Sequence, residues 1–312
     1  MKSSSKPDRQ IVINPIHYSV IIIYALTRLI QFLTNTNELW TKIWHKVVDL
    51  FGADDFNMYF FGTTVYSVFF TYWFFGGIFL IFDYSQWPEF LKKYKVQSGT
   101  NEPVDRKLMM RVVRGVLFNQ IFISIPLSYL GYYIKKSRGI QESIFDVPDF
   151  GRVIYELIIC IMVDEIGFYY THRLVHQKHL YKWIHKQHHE WSAPISITAI
   201  YAHPLEHILS NVLPVGLGPV FANSHLSVAW IWYTLAQLTT LNNHSGFHFP
   251  FFHSSEFHDF HHMKFMECYG KLGLLDRIHN TDKLFRKSIY SYRHRILYSL
   301  KSAKEMFPDK SD

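Results

Sequence analysis

Residues 56–82 read FNMYFFGTTVYSVFFTYWFFGGIFLIF, 27 positions between Asp55 and Asp83 without an Asp, Glu, Lys or Arg. A helix needs ~20 predominantly apolar residues to cross a hydrocarbon core of ~30 Å, and buried core helices run nearer ~10–14. The stretch predicts a membrane span, and the segments around it extend that reading to an all-α integral membrane protein. Gly115 to Ile134 is a second run, 20 residues without charge, ending in Lys135-Lys136. From His207 to Ser255 no Asp, Glu, Lys or Arg occurs, and Pro214 and Pro219 interrupt the run. That pattern predicts a helical hairpin that dips into the membrane and returns. Two weaker spans flank these: Ile16–Thr34, which contains Arg28, and Arg152–Tyr170, with Glu156, Asp164 and Glu165 around LIICIMV.

Composition agrees. Of 312 residues, 48% are hydrophobic and 18% charged, which excludes a disordered chain. Two cysteines, Cys160 and Cys268, exclude a disulfide framework and a Cys-ligated zinc module. The N-terminus, MKSSSKPDRQIVINP, is too polar for a secretory signal peptide, so the first span is the expected signal anchor. Basic residues set the expected orientation. Lys2, Lys6 and Arg9 lie in the tail. Lys92, Lys93, Lys95, Arg106, Lys107, Arg111 and Arg114 follow the first long run, and Arg173, Lys178, Lys182 and Lys186 follow residue 172. Placing all three groups in the cytoplasm leaves four spans connecting them, with Lys135, Lys136 and Arg138 opposed. The formal charge of +7 is then a face against anionic headgroups. No basic stripe suggests nucleic acid. The expected organisation is a tail and transmembrane helices over 1–150, a catalytic region over 151–290 and a C-terminal tail over 291–312.

The histidines are unusual. Of 19, only two precede residue 172. Four clusters hold ten of the rest: HRLVH (His172, His176), HKQHH (His185, His188, His189), HSGFH (His244, His248) and HDFHH (His258, His261, His262). Positions i, i+3 and i+4 share a helix face, so each cluster is expected to aim its imidazoles at one point. Neutral imidazole binds iron, copper, nickel and zinc. Ten ligands exceed the needs of one metal and suit two with about five each, whereas a structural zinc closes at four and usually takes cysteine. The expectation is a two-metal catalytic site in a histidine-rich helical cap on the cytoplasmic side, because the clusters follow directly on apolar segments. Hydrolysis is open to such a site, but all-histidine ligation at a bilayer edge better suits O₂ activation by iron. Asp164, eight residues before His172, is a candidate to orient a ligand, as are Asp259 and Asp276. His179, seven residues after His172, is a candidate peripheral ligand, and the other histidines are expected to be satisfied polar groups. Tyr169, Tyr170 and Trp191 are candidates to line a substrate cavity. There is no HExxH, no Glu-x-x-His pair, no CxxCH and no glycine-rich nucleotide signature. A metal transporter and a non-catalytic lipid-binding scaffold are the competing readings.

At HRLVH, HKQHHEWSAP, YAHPLEH, HSGFH and EFHDFHHMKF the chain resembles the fatty acid hydroxylase (sterol desaturase) superfamily over about 150–290. HHEWSAP, YAHPLEH and LLDRIHNTD resemble its C4-methylsterol oxidase branch. The resemblance implies an endoplasmic-reticulum membrane enzyme with a non-heme di-iron centre facing the cytoplasm. It implies O₂ as oxidant and electrons from cytochrome b5 and its reductase. The implied reaction is oxidation of a C4 methyl group of a sterol, with fatty-acyl or sphingolipid hydroxylation or sterol desaturation as alternatives on the same scaffold. It implies the ten histidines as ligands, with zinc an expected substitute in purified samples. It also marks His203 of YAHPLEH as a residue acting beside the ligands. Where the branch often has Gly, this chain has Asn280, which tolerates the same left-handed turn.

Overall fold

The computed structural model describes residues 15–138 and 143–309, with side chains of residues 15–31 and Leu33 set aside. The polar tail with Lys2, Lys6 and Arg9 lies outside the described residues, and the expected span at 16–34 is described as backbone except at Phe32 and Thr34. Among the described residues the chain is helical, with one isolated bridge between Lys95 and Phe247 and no strand.

Helix α1 spans Pro15–Phe51. The decisive uncharged run lies in α2, Asp55–Ser85. Asp54 starts it by accepting the backbone N–H of Asn57 at 2.8 Å, and a left-handed Gln86 ends it just before Pro88. Helix α3, Arg106–Ser137, is capped by Asp105 and ends on Lys135 and Lys136, which suit the negative end of its dipole. Helix α4 spans Phe150–Val175. The expected hairpin is present as α5, Pro204–Ala222, and α6, Leu226–Asn243. Its turn lies at the left-handed Asn223, not at the prolines: Pro214 sits in the first turn of a helical segment and Pro219 inside it. Two short helices, α7 (Glu256–Lys264) and α8 (Leu274–His279), follow. Asn280 ends α8 with φ 54°, the left-handed turn expected there.

Among the described residues three helices are long and apolar enough to cross a membrane: α2, α3 and α5. Helix α4 has the length, at 26 residues, but its acids keep it out of that set. Those acids point inward. Glu156, Asp164 and Glu165 are buried, while Ile154, Ile158, Met162 and Ile166 are exposed. Apolar side chains outside and charges inside are the arrangement lipid favours, because ionisable groups there turn to the protein interior.

Small residues allow the helices to approach closely, as they do where lipid supplies no hydrophobic drive. A Cβ on Gly218 of α5 would stand 2.9 Å from the Cα of Cys160 in α4. A Cβ on Gly62 of α2 would fall 1.5 Å from the Trp230 ring of α6. On the other side of α2, Tyr72 packs with Val112 and Val116 of α3 and with Ile195 and Ile197 of the loop after the second histidine cluster. That packing fixes the histidine-bearing loop to the end of the helix bundle.

Candidate metal centre and its cavity

Nine imidazoles converge at one end of the bundle in two adjacent groups. His172, His176, His185, His189 and His261 form the first, and His188, His244, His258 and His262 the second. Within each group the candidate ligand atoms lie within 4.8 Å of one another. All nine are buried except His176, which is half-buried.

The clusters do not each aim at one point. His258 and His262 of α7, four residues apart, face the second group, and His261 faces the first. At ~100° per residue, i+4 returns to within ~40° of i, whereas i+3 lies ~60° to the other side. The same division occurs in HKQHH, where His185 and His189 join the first group and His188 the second. An HxxHH motif therefore bridges two centres, and adjacent histidines hold the groups side by side.

Backbone carbonyls fix the rings. His172 Nδ1 donates to Tyr269 O at 2.7 Å, His261 Nδ1 to Glu267 O at 2.6 Å, His262 Nδ1 to Trp191 O at 3.0 Å and His244 Nδ1 to Thr240 O at 2.9 Å. A carbonyl can only accept, so these rings carry hydrogen on Nδ1 and a lone pair on Nε2. The Nε2 atoms nonetheless crowd together. His262 and His258 meet at 3.2 Å, His258 and His244 at 2.9 Å, and His244 and His188 at 3.3 Å. His172 and His185 meet at 3.2 Å, and His261 and His189 at 3.1 Å. In the His244–His188 pair both Nδ1 atoms face carbonyls, Thr240 O at 2.9 Å and Tyr201 O at 3.4 Å, so lone pair faces lone pair at Nε2 and repels unless a cation stands between them; the donor set fits metal ions. Burial keeps the rings neutral, as ligation requires: it pushes His188 down to about 4 and, with neighbouring imidazoles, His261 to about 3.

The tenth histidine expected to be a ligand, His248, stands apart. Its Nε2 donates to Arg295 O at 2.9 Å, and its Nδ1 lies 3.3 Å from Glu256 Oε1. A nitrogen donating its hydrogen to a carbonyl has no lone pair for a metal. His179 is exposed and joins neither group. His203 accepts the N–H of Leu205 at 3.2 Å and caps α5, so its observed contact is with the backbone.

Asp164 touches no imidazole: both its oxygens take the ammonium of Lys271, at 2.8 and 2.7 Å. Asp259 accepts from Gln97. Asp276 acts indirectly, accepting the N–H groups of Tyr269 and Gly270 and so holding the loop whose carbonyl orients His172. Two acids the sequence reading passed over do more. Glu165 accepts the N–H groups of Lys271 and Leu272 from the other side of that loop. Glu206, buried, places Oε1 2.8 Å from His185 Nδ1. Its signal was in the quoted YAHPLEH, where it is the one acid.

A cavity of about 230 Å³ opens between α2, α3, α5 and α6, lined by none of the nine histidines but by residues adjoining those that hold them. Its wall includes Thr240, whose carbonyl holds His244, and Lys271, two residues beyond the carbonyl that holds His172. The far wall is apolar, with Leu130, Ile134, Leu217 and Val220. Wide-turn helical segments border it at 61–71, 120–124 and 207–212, in all three candidate spans. Such segments often mark functional positions. Tyr169, Tyr170 and Trp191 are not in the wall. Tyr169 bonds Thr281, Tyr170 bonds His279, and Trp191 packs in the core while its carbonyl serves His262.

Comparison with known proteins gives a consistent picture. The fatty acid hydroxylase family model matches residues 157–281. Fatty acid hydroxylase domain-containing protein 2 of Homo sapiens is 40% identical over 280 residues, 89% of this chain and 83% of that protein. Methylsterol monooxygenase 1 of Rattus norvegicus is 35% identical over 208 residues, 63% of this chain and 69% of that protein. Fatty acid hydroxylase ahd1 of Mycosarcoma maydis is 35% identical over 210 residues, 67% of this chain and 54% of that protein. No solved structure matches the chain.

Proposed function

This chain belongs to the fatty acid hydroxylase family, and we propose that it is a non-heme di-iron monooxygenase that oxidises a C4 methyl group of a sterol. As a family member it is a membrane oxidoreductase. The observation that carries the finer reading is the pair of all-imidazole groups at the end of a membrane-level cavity. Methylsterol monooxygenase 1 among the relatives supports the sterol as substrate.

The nine converging histidines are the proposed ligands, five to one iron and four to the other, with zinc able to replace iron in a purified sample. Bound iron would supply reduction of O₂ and hydrogen removal from an unactivated C–H bond. The overall balance is one C–H bond, O₂, two electrons and two protons giving an alcohol and water. The chain's own residues do the rest. Backbone carbonyls orient the imidazoles, Glu206 stands 2.8 Å from His185 Nδ1, and the loop 269–272, pinned by Glu165 and Asp276, holds His172. The cavity wall takes the apolar body of the lipid and excludes water from the reacting carbon.

Electrons would come from cytochrome b5 and its reductase, in the endoplasmic-reticulum membrane with the centre facing the cytoplasm. The basic segments at 83–114 and 172–190 support that orientation. A second reading, hydroxylation of a fatty-acyl chain, is favoured by the relative named fatty acid hydroxylase ahd1. Deleting the gene and profiling lipids by mass spectrometry separates the two. Accumulated 4-methylsterols, cleared by wild type but not by His261→Ala, support the sterol reading. Normal sterols with a loss of hydroxylated acyl chains would replace it with the acyl reading.

A further inference from the structure

Among the described residues Lys271 is the one cation in the cavity wall, two residues beyond the Tyr269 carbonyl that holds His172. Its loop supplies the carbonyl that holds His172, and its charge bears on both His172 and His244, one from each group. The ammonium is largely buried, its side chain 15% exposed, and Asp164 beside it is 7% exposed. Both oxygens of Asp164 lie within hydrogen-bond distance of the ammonium, at 2.8 and 2.7 Å, and the Phe168 ring centroid lies 4.7 Å away.

From this geometry we propose that Lys271 reads a neutral oxygen on the substrate, a hydroxyl or carbonyl close to the carbon that is oxidised. The inference rests on the cavity being the substrate site and adds what the substrate must carry. The other polar groups of the wall, Ser124, Asn211, Gln237 and Thr240 among them, are uncharged, and an ammonium beside them favours a ligand oxygen over bare hydrocarbon, because a hydrogen bond from a charged donor is stronger than one between neutral groups. The bidentate carboxylate of Asp164 selects further. It neutralises the ammonium and would repel a second carboxylate brought to the same point. The pair therefore accepts an alcohol or ketone and disfavours a free acid. For a sterol oxidised at C4, the matching oxygen is the one on the adjacent ring carbon.

The test measures equilibrium binding to the full chain in lipid nanodiscs, with two matched series of radiolabelled probes. One is 4-methylcholestan-3-ol against 4-methylcholestane. The other is hexadecanol against hexadecane and hexadecanoate. In at least one series the alcohol is expected to bind at least about tenfold more tightly than its hydrocarbon. The series in which this occurs separates a sterol from an acyl alcohol. Hexadecanoate is expected to gain no such advantage. Lys271→Met brings the alcohol to the hydrocarbon's affinity and leaves the hydrocarbon and the metal content unchanged. The double variant Asp164→Asn, Lys271→Met gives the same result without stranding a buried carboxylate. An alcohol preference that survives both variants, or tightest binding of the carboxylate, overturns the assignment while leaving the cavity as the substrate site. Failure of every probe to bind wild type would remove the substrate cavity itself.

Discussion

His248 and His261 look alike in the sequence, each closing a cluster spacing that a metal could use, yet their surroundings divide them. His261 points Nε2 at other imidazoles while its Nδ1 is held by a carbonyl, and His248 points both nitrogens at oxygens. His261→Ala is expected to lose metal from its group, and His248→Ala to retain the wild-type metal content, both read by elemental analysis of purified protein. Equal loss in the two variants would return His248 to the ligand set. Glu206 belongs to the same scale. A carboxylate beside a ligand imidazole fixes its orientation and raises its basicity, and removing such a partner typically costs about 10- to 100-fold in metal affinity. Glu206→Leu should show that loss in a chelator competition, with the helical content unchanged by circular dichroism.

Helix contacts decide how those residues are carried. The approach of α6 to α2 depends on the absent side chain of Gly62, where even one methyl would overlap Trp230. Gly62→Ala is expected to destabilise the fold by about 1–3 kcal/mol, the usual cost of overpacking. Gly77→Ala, on the same helix with open space around it, should not lower the melting temperature. A similar fall in both variants would point to backbone flexibility and not to the packing contact. Helix α4 shows how charge can sit inside a helix with an apolar outer face. It encloses three acids and presents isoleucines outward, so its burial pattern is evident only once its neighbours are known.

At the scale of the molecule, α2 and α3 from the N-terminal half and α5 and α6 from the histidine-bearing half share one cavity. Activity should therefore respond to a change far from the imidazoles. Gly216 lines the cavity, and a Cβ there meets nothing within 4 Å. Gly216→Phe should place a ring in the lipid's path and cut turnover on the order of 100-fold, the scale of effect that misplacing a substrate produces. Metal content should stay intact. Undiminished turnover in this variant would mean that the substrate reaches the histidines by another route.

The sequence by itself determined what depends on neighbours along the chain. A 27-residue stretch without charge lies in a helix long and apolar enough to cross a membrane. Four short histidine spacings announce metal chemistry, and their resemblance to the fatty acid hydroxylase family is carried by contiguous motifs. The tertiary structure decided what depends on distant segments meeting. It sorted nine histidines into groups of five and four, placed His248 outside them, and set Glu206, not Asp164, beside a candidate ligand ring. It brought Lys271 from a polar loop to the cavity wall. His189 meets His261 across 72 residues, and His172 meets the carbonyl of Tyr269 across 97. A backbone carbonyl has no signature in sequence, because every residue has one. Only packing determines which of them fixes a ring and which lone pairs are left to face one another.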